Sequence, residues 1–252
     1  MTAPAKAVLV TRPKNQAAQL MRLLAEAGFL PLWASPIAIV PEAQALAALP
    51  AQLAAADVVF FVSPSAVEMA ASAIDLSRYQ PQWVAVGQAT ATALRAEGVA
   101  SVWAPEQGHD SEAVLALPLW AEWAKRPHPA KILIVRGQGG RPWLAEALSA
   151  AGHDVRFAEV YQRQVQDIDW QAIQAQQGPA ELVAVCVTSS EIGSGLWAQM
   201  PDSLQQLFKN LLYLTPHERI SQTLQTLGAH RVITCALGDD KMVLALQAHE
   251  RA

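Results

Sequence analysis

The chain is written twice, and that constrains its fold more than any single motif. Lys6–Val10 (KAVLV) reads as a buried strand, followed by the polar run TRPKNQ and a helical run, Ala17–Ala27, that closes on Gly28. About 124 to 128 residues later the pattern returns, a period far too long for a solenoid. Lys131–Val135 (KILIV) leads through RGQGGRP into the helical run Trp143–Ala151, which closes on Gly152. Gly28 and Gly152 both fit the position just past a helix end, where the chain turns left-handed and a Cβ would be penalised. An extended segment follows each glycine, Leu30–Val40 in one case and Asp154–Val165 in the other.

The later units recur in the same order. Asp57–Val62 runs into SPSAVE and a helix, and Leu182–Val187 runs into TSSE and a helix. Trp83–Val86 is followed by GQAT and a helix ending at Gly98. Its counterpart Leu211–Leu214 is followed by TPHE and a helix ending at Gly228. Each half closes with a short strand (Ser101–Trp103; Arg231–Thr234), a polar loop and a last helix (Ser111–Leu117; Asp240–Ala248). Apolar runs of four to six residues alternating with helical patterns indicate parallel strands with crossover helices. The expected class is α/β, as two similar doubly wound parallel-sheet domains.

Composition narrows the function. With 252 residues, 52% of them hydrophobic and only 16% charged, the chain can bury sizeable cores, which excludes intrinsic disorder. A net charge of −4 argues against a nucleic-acid partner gripped over a broad basic face. Cys186 and Cys235 are too few for a disulfide framework or a four-thiolate metal site, and both sit in strand patterns as buried, inert thiols. The opening residues lack the length of a signal peptide, and no apolar stretch of about 18 residues runs uninterrupted. The expectation is a cytoplasmic protein with no membrane contact.

Ligands of doubly wound sheets bind beyond the carboxyl ends of the strands, where loops enter helices. Six such loops share one chemistry: Thr11-Arg12-Pro13, Ser63-Pro64-Ser65, Gly87-Gln88-Ala89-Thr90, the run from Arg136 through Gly137 and Gly139 to Arg141, Thr188-Ser189-Ser190, and Thr215-Pro216-His217. Each offers hydroxyls or glycines at a helix start, where free N–H groups and the helix dipole favour an anion. Ordinary N-capping accounts for any one loop alone. Six of them over two domains favour a polyanionic ligand held between the two. His217, at a strand-to-helix junction, fits a capping role and a binding role equally. Sharper chemistries fail: residues 137–140 read GQGG rather than GxGxxG, no P-loop lysine motif occurs, and the six histidines show no metal-ligand spacing.

The segments VLVTRPKNQ, SPSAVE, VGQATA, RGQGGR, VYQR and VTSSE, in this order over about residues 6–248, resemble those of uroporphyrinogen-III synthases. The resemblance implies two α/β domains joined by a two-stranded antiparallel connector. One domain would comprise residues 1–36 plus 167–252, the other residues 41–157, and the connecting strands residues 37–40 and 158–166. It implies cyclisation of the linear tetrapyrrole hydroxymethylbilane with loss of water and inversion of the last pyrrole ring, with no cofactor and no metal. Partners beyond that substrate would be transient contacts with neighbouring pathway enzymes, and the chain is expected as a monomer. The eight carboxylates of the bilane suit backbone N–H donors, supplemented by Arg12, Arg136, Arg141 and Arg163.

Residue by residue, the family's candidate acid, the tyrosine of the VYQ segment, falls on Tyr161. Its serine in the first SP loop falls on Ser63 and its threonine in VGxAT on Thr90. Tyr161 is either a proton donor to the departing hydroxyl or an aromatic packed on the connecting strand. The Thr-Thr pair of a Gly-Pro-Thr-Thr-like loop common after the third strand of the second half is replaced here by His217-Glu218, so threonine roles do not transfer to that loop. A non-catalytic two-lobed binding module for a small polyanion is the rival reading.

Overall fold

The structure is a computed structural model that describes residues 5–106, 111–140 and 142–251. In chain order it begins with β1 (Lys6–Val10), α1 (Lys14–Glu26), β2 (Leu30–Trp33), β3 (Ile37–Pro41), α2 (Ala43–Ala55), β4 (Val58–Phe61) and α3 (Pro64–Ala73). There follow β5 (Gln82–Ala85), α4 (Gln88–Ala96), β6 (Val102–Trp103), α5 (Ser111–Leu115), α6 (Pro118–Trp123), β7 (Lys131–Gly137), α7 (Trp143–Ala150) and β8 (Asp154–Val165). The chain ends with α8 (Trp170–Gln177), β9 (Glu181–Cys186), α9 (Ser190–Ala198), α10 (Asp202–Asn210), β10 (Leu212–Thr215), α11 (Glu218–Leu227), β11 (Arg231–Thr234) and α12 (Asp239–Arg251).

Two compact units result, one formed by Met1–Ile39 with Gln164–Ala252 and the other by Val40–Arg163. The sheet of the first runs β11-β10-β9-β1-β2, all parallel. That of the second runs β3-β8-β7-β4-β5-β6. Read from the other edge, β6-β5-β4-β7-β8 is the same order built from the equivalent strands of the opposite repeat. The repeats have therefore exchanged halves: β1 and β2 complete the sheet of the second repeat, and β7 and β8 complete that of the first. Both sheets are doubly wound, as the hydrophobic runs predict.

One pairing at the sheet edge is antiparallel. The Glu42 amide donates to Val160 and the Gln166 amide to Pro36, so β3 lies antiparallel to β8 at the sheet edge. The chain leaves the first unit within β3 and re-enters it within β8. Pairing of β8 with β7 extends through Tyr161, so residues 158–161 belong to the sheet as well as to the connection. The corresponding stretch in the first repeat is interrupted at Pro36, which has no N–H for a ladder, and the Ser35 hydroxyl turns the chain by bonding Ile37.

The helix ends behave as the repeat predicts. Gly28 and Gly152 take φ of +88° and +92°, and the following amides of Phe29 and His153 reach back to the carbonyls of Leu24 and Leu148. In the first unit one core, around Leu9, Val185 and Tyr213, lies on the side of α9 and α11. A second, around Val8, Leu20 and Leu246, lies under α1 and α12. In the second unit Val58, Phe60 and Ile134 pack beneath α7, with Val114, Leu119 and Trp123 alongside. Among the described residues no helix is long and apolar enough to cross a membrane. Cys186 and Cys235 are both buried and unpaired, and burial pushes the Cys186 thiol up to about 12.

His153, just past Gly152, accepts the Ala130 amide through Nδ1 at 3.1 Å, a bond that only the neutral ring can accept at that atom. Burial holds its pKa below the ordinary value. The unfolded chain therefore takes up the proton more readily than the fold. The stabilisation is complete above the unfolded value of about 6.5 and is lost as pH falls through the lower folded value. The urea midpoint should drop between about pH 7.5 and pH 5.5, and His153→Gln, which keeps an acceptor but does not titrate, should flatten that drop. Equal pH slopes in the two proteins would exclude the effect.

Candidate active site

In the second unit β5 and β6 follow β4 to one side, whereas β7 and β8 lie on the other. The loops leaving β4 and β7 diverge at this switch point, opening a crevice at the carboxyl edge of the sheet. A cavity of about 280 Å³ sits there. Its floor is the top of the core, Phe60, Ile134 and Leu144, and its polar wall comprises Ser63, Arg136 to Gly140, Tyr161 and Arg163.

Tyr161 is placed by a local irregularity in β8. Arg136 pairs with Glu159 but Gly137 pairs with Tyr161, so Val160 is an extra residue that bulges the strand. The Gln138 amide then donates to the Tyr161 carbonyl at 2.6 Å. The phenol end of the ring packs closely against the Gly137 backbone: a Cβ at 137 would stand 2.4 Å from Cε2 and 2.5 Å from Cζ. Gly137 is thus a glycine because of close approach. The ring is only 4% exposed, and its hydroxyl lies 3.3 Å from the Ser63 Oγ. Ser63 in turn caps α3, its Oγ accepting the Ala66 amide at 3.1 Å, with Pro64 preset for the first helical turn.

Arg136 is not a free cation. Its Nε and Nη2 both donate to Glu159 Oε1, at 3.1 and 2.9 Å, and its guanidinium lies 3.8 Å above the Phe157 ring centroid. Two bonds and a stacking contact fix its plane, leaving the Nη1 edge uncommitted by the Glu159 pair. Gly139 and Gly140 both have positive φ, +74° and +107°, and nothing lies within 4 Å of a Cβ at 139, so that glycine serves conformation. Arg141 falls outside the described residues. Ser65 is buried in the first turn of α3, Gly87 starts α4, and Thr90 is buried within α4. These three sit at helix starts of the same unit, but the cavity wall is formed by other residues.

The first unit has its own switch point, between β1 and β9, and it is built alike. Val10 pairs with Trp33 and Cys186, and Ile134 pairs with Phe157 and Phe60, so Arg12 and Arg136, each two residues on, are equivalent. Arg12 is likewise neutralised: Nη1 meets Asp239 at 2.6 Å, with both side chains mostly buried. Thr11 is fully buried, and its hydroxyl and amide both donate to the Cys186 carbonyl, at 2.8 and 3.3 Å. Its hydroxyl ties β1 to β9.

Ser189 caps α9 through the Ile192 amide, the role Ser63 has in the second unit, and Thr188 precedes it partly buried. Ser190 bonds the Thr223 hydroxyl at 2.9 Å. Thr215 is buried, its carbonyl accepting the Cys235 amide at 2.7 Å, and its hydroxyl has no partner among the described residues. His217 occupies the cap position of α11, yet its side chain makes no capping bond and is exposed, so it does not serve as the cap.

Of the predicted residues, then, Ser63, Arg136, Gly137, Gly139, Tyr161 and Arg163 converge on one cavity. Gln138 lies within the predicted loop and contributes its backbone amide. Sequence reasoning missed Phe157 and Glu159, which the two-residue period of a strand puts on one face; the bulge at Val160 breaks that period before Tyr161.

A family model described as uroporphyrinogen-III synthase HemD matches residues 18–238. The uroporphyrinogen-III synthase of Escherichia coli (strain K12) is 30% identical over 251 residues, spanning 95% of this chain and 99% of its own length. That of Salmonella typhimurium is 29% identical over 250 residues, with the same coverage of both chains. Among solved structures, uroporphyrinogen-III synthetase from Helicobacter pylori 26695 aligns over 98% of this chain and all of its own, with a TM-score of 0.61 at 14% identity. A mutant uroporphyrinogen III synthase from the extremely thermophilic bacterium Thermus thermophilus aligns over 98% and 99%, with a TM-score of 0.55 at 17% identity. The solved structures share the two-unit α/β fold, and the match over residues 18–238 together with near-complete coverage of the curated relatives places this chain in the uroporphyrinogen-III synthase family.

Proposed function

We infer that the chain cyclises hydroxymethylbilane with loss of water and inversion of the last pyrrole ring, giving uroporphyrinogen III, and so acts as a cyclising lyase of haem biosynthesis. Beyond the family match, the observation that carries the chemical reading is the phenol of Tyr161, locked at the wall of the switch-point cavity by the Gly137 backbone and Ser63. A phenol is protonated at neutral pH and can donate to a departing hydroxyl. Proton transfer from Tyr161 to the hydroxymethyl oxygen releases water and leaves an azafulvenium cation beside the phenolate. A ring carbon attacks to give the spiro intermediate, which reopens and recloses inverted. The proton lost when the pyrrole regains aromaticity returns to the phenolate, so Tyr161 ends as it began.

Control of shape supplies most of the remaining effect. The amides of Gly139 and Gly140, the Nη1 edge of Arg136 and Arg163 are the carboxylate donors that share the cavity wall with the acid. Ser65, Gly87 and Thr90 in the second unit, and Arg12, Thr188, Ser189, Ser190, Thr215 and His217 in the first, are further donors for a substrate with eight carboxylates. Thr11 takes part only indirectly, since its hydroxyl is committed to the Cys186 carbonyl. The reading extends to a monomeric cytoplasmic enzyme that meets neighbouring pathway enzymes transiently; two unpaired buried thiols suit a reducing compartment.

Product analysis tests the function. Unaided, the bilane closes to the uninverted isomer I. Incubation with this protein should give the III isomer in excess over isomer I, whereas isomer I alone at the uncatalysed rate would reduce the chain to a binder.

A further inference from the structure

Ser63 stands in an unusual position for a helix cap, because its hydroxyl faces two partners at once. Its Oγ accepts the Ala66 amide from the first turn of α3, and the same oxygen lies 3.3 Å from the Tyr161 hydroxyl. The first contact uses a lone pair and leaves the Ser63 proton available. The second can run in either direction, but only one direction is productive. If Tyr161 donates to Ser63, its proton points away from the cavity. If Ser63 donates to Tyr161, the phenol proton is free to face the cavity. The partial positive charge at the start of α3, a helix of ten residues, also polarises the serine O–H toward the phenol oxygen.

We propose that Ser63 is a positioning residue that acts through Tyr161 rather than a substrate ligand: it donates its proton to the phenol oxygen and stabilises the phenolate left after proton transfer. This rests on the reading of Tyr161 as the acid. The rest of the ring is fixed independently, by its close contact with Gly137 and by the Gln138 amide on the Tyr161 carbonyl, so the hydroxyl direction is the one freedom left for Ser63 to set. As charge grows on the phenol oxygen the bond shortens and strengthens, since hydrogen bonds to ionised groups are the strong ones. The proton count is unchanged. One proton leaves Tyr161 with the water and one returns from the substrate carbon, while the Ser63 proton stays on serine.

Four proteins decide the matter: the unmodified chain, Ser63→Gly, Tyr161→Phe and the double variant. Glycine keeps a competent cap while removing the hydroxyl, so α3 should survive. Ser63→Gly should lower kcat about tenfold with KM little changed, the scale of a hydrogen bond to an oxygen acquiring charge. The alkaline limb of its kcat profile should move to higher pH, because the phenolate has lost its donor. Ser63→Thr should restore both. In the Tyr161→Phe background the Ser63 change should add nothing further. Losses that multiply in the double variant, an unmoved alkaline limb, or a Ser63→Gly effect confined to KM would each overturn the proposal while leaving Tyr161 as the acid. Full kcat in Tyr161→Phe alone would instead overturn the reading on which it rests.

Discussion

Gly137→Ala should cost about 100-fold in kcat/KM, although it adds only one methyl group. The new Cβ would stand 2.4 Å from Tyr161 Cε2, and the nearest atoms are in the ring rather than at a flexible tip. Ordinary carbon contact needs about 3.5 to 4 Å, so ring or loop must shift by about an ångström. Displacements of that size can cost about 10²-fold when they move reacting groups. Here both candidates move together: the phenol, and the amides of Gln138 to Gly140 that follow residue 137. Overpacking of this kind typically costs about 1–3 kcal/mol of stability, so the variant should fold with a lowered melting temperature. Steady-state kinetics beside a thermal melt separates the two effects. Unchanged kcat/KM would mean that the ring position is immaterial.

Tyr161→Phe isolates the hydroxyl. It keeps the ring on Gly137 and the backbone bond from Gln138, and Ser63 retains its Ala66 contact. A positioned general acid is typically worth about 10²–10⁴-fold. Because the bilane ionises unaided, the loss expected here is at or below the low end of that range, at least about tenfold in kcat. Melting temperature and product affinity should hardly move. If kcat stays intact, the tyrosine is packing for β8, and protonation must come from water or a substrate carboxyl.

How much of this was legible in the sequence depended on whether the signal was local. The duplication announces itself in paired strands and paired glycines: Gly28 and Gly152 turn left-handed because the same helix-end geometry is needed twice, whereas the exchange of halves between the repeats is not encoded in any periodicity and came only with the family resemblance. Four helices left no comparable trace. α2 runs through Pro50, which argues against a helix by propensity and is tolerated because Leu49 and Leu53 are buried. α8 holds the place of α2 in the second repeat but buries only Ile173 and so shows no apolar face in the sequence, and α6 and α10 have no counterpart in the repeat.

In the site, residue type was readable and commitment was not. Thr11 and Ser63 look alike as hydroxyls after a strand. Only the tertiary fold shows one spent on the Cys186 carbonyl and the other facing a phenol. Arg12 and Arg136 look like free cations, yet each has a carboxylate supplied from elsewhere in its own unit, Asp239 and Glu159. The bulge that lifts Tyr161 over Gly137 depends on the register between β7 and β8, which no single segment encodes.

Tyr161 as the acid requires the reacting end of the tetrapyrrole to lie at the switch point of the second unit. An amide-resolved NMR titration with uroporphyrinogen III, kept reduced, tests this without any mutation. The amides of Gln138, Gly139 and Gly140, with those of Ser65 and Ala66 at the start of α3, should shift in step with occupancy and saturate together. Saturation with those amides unmoved, and shifts confined to other parts of the chain, would contradict it.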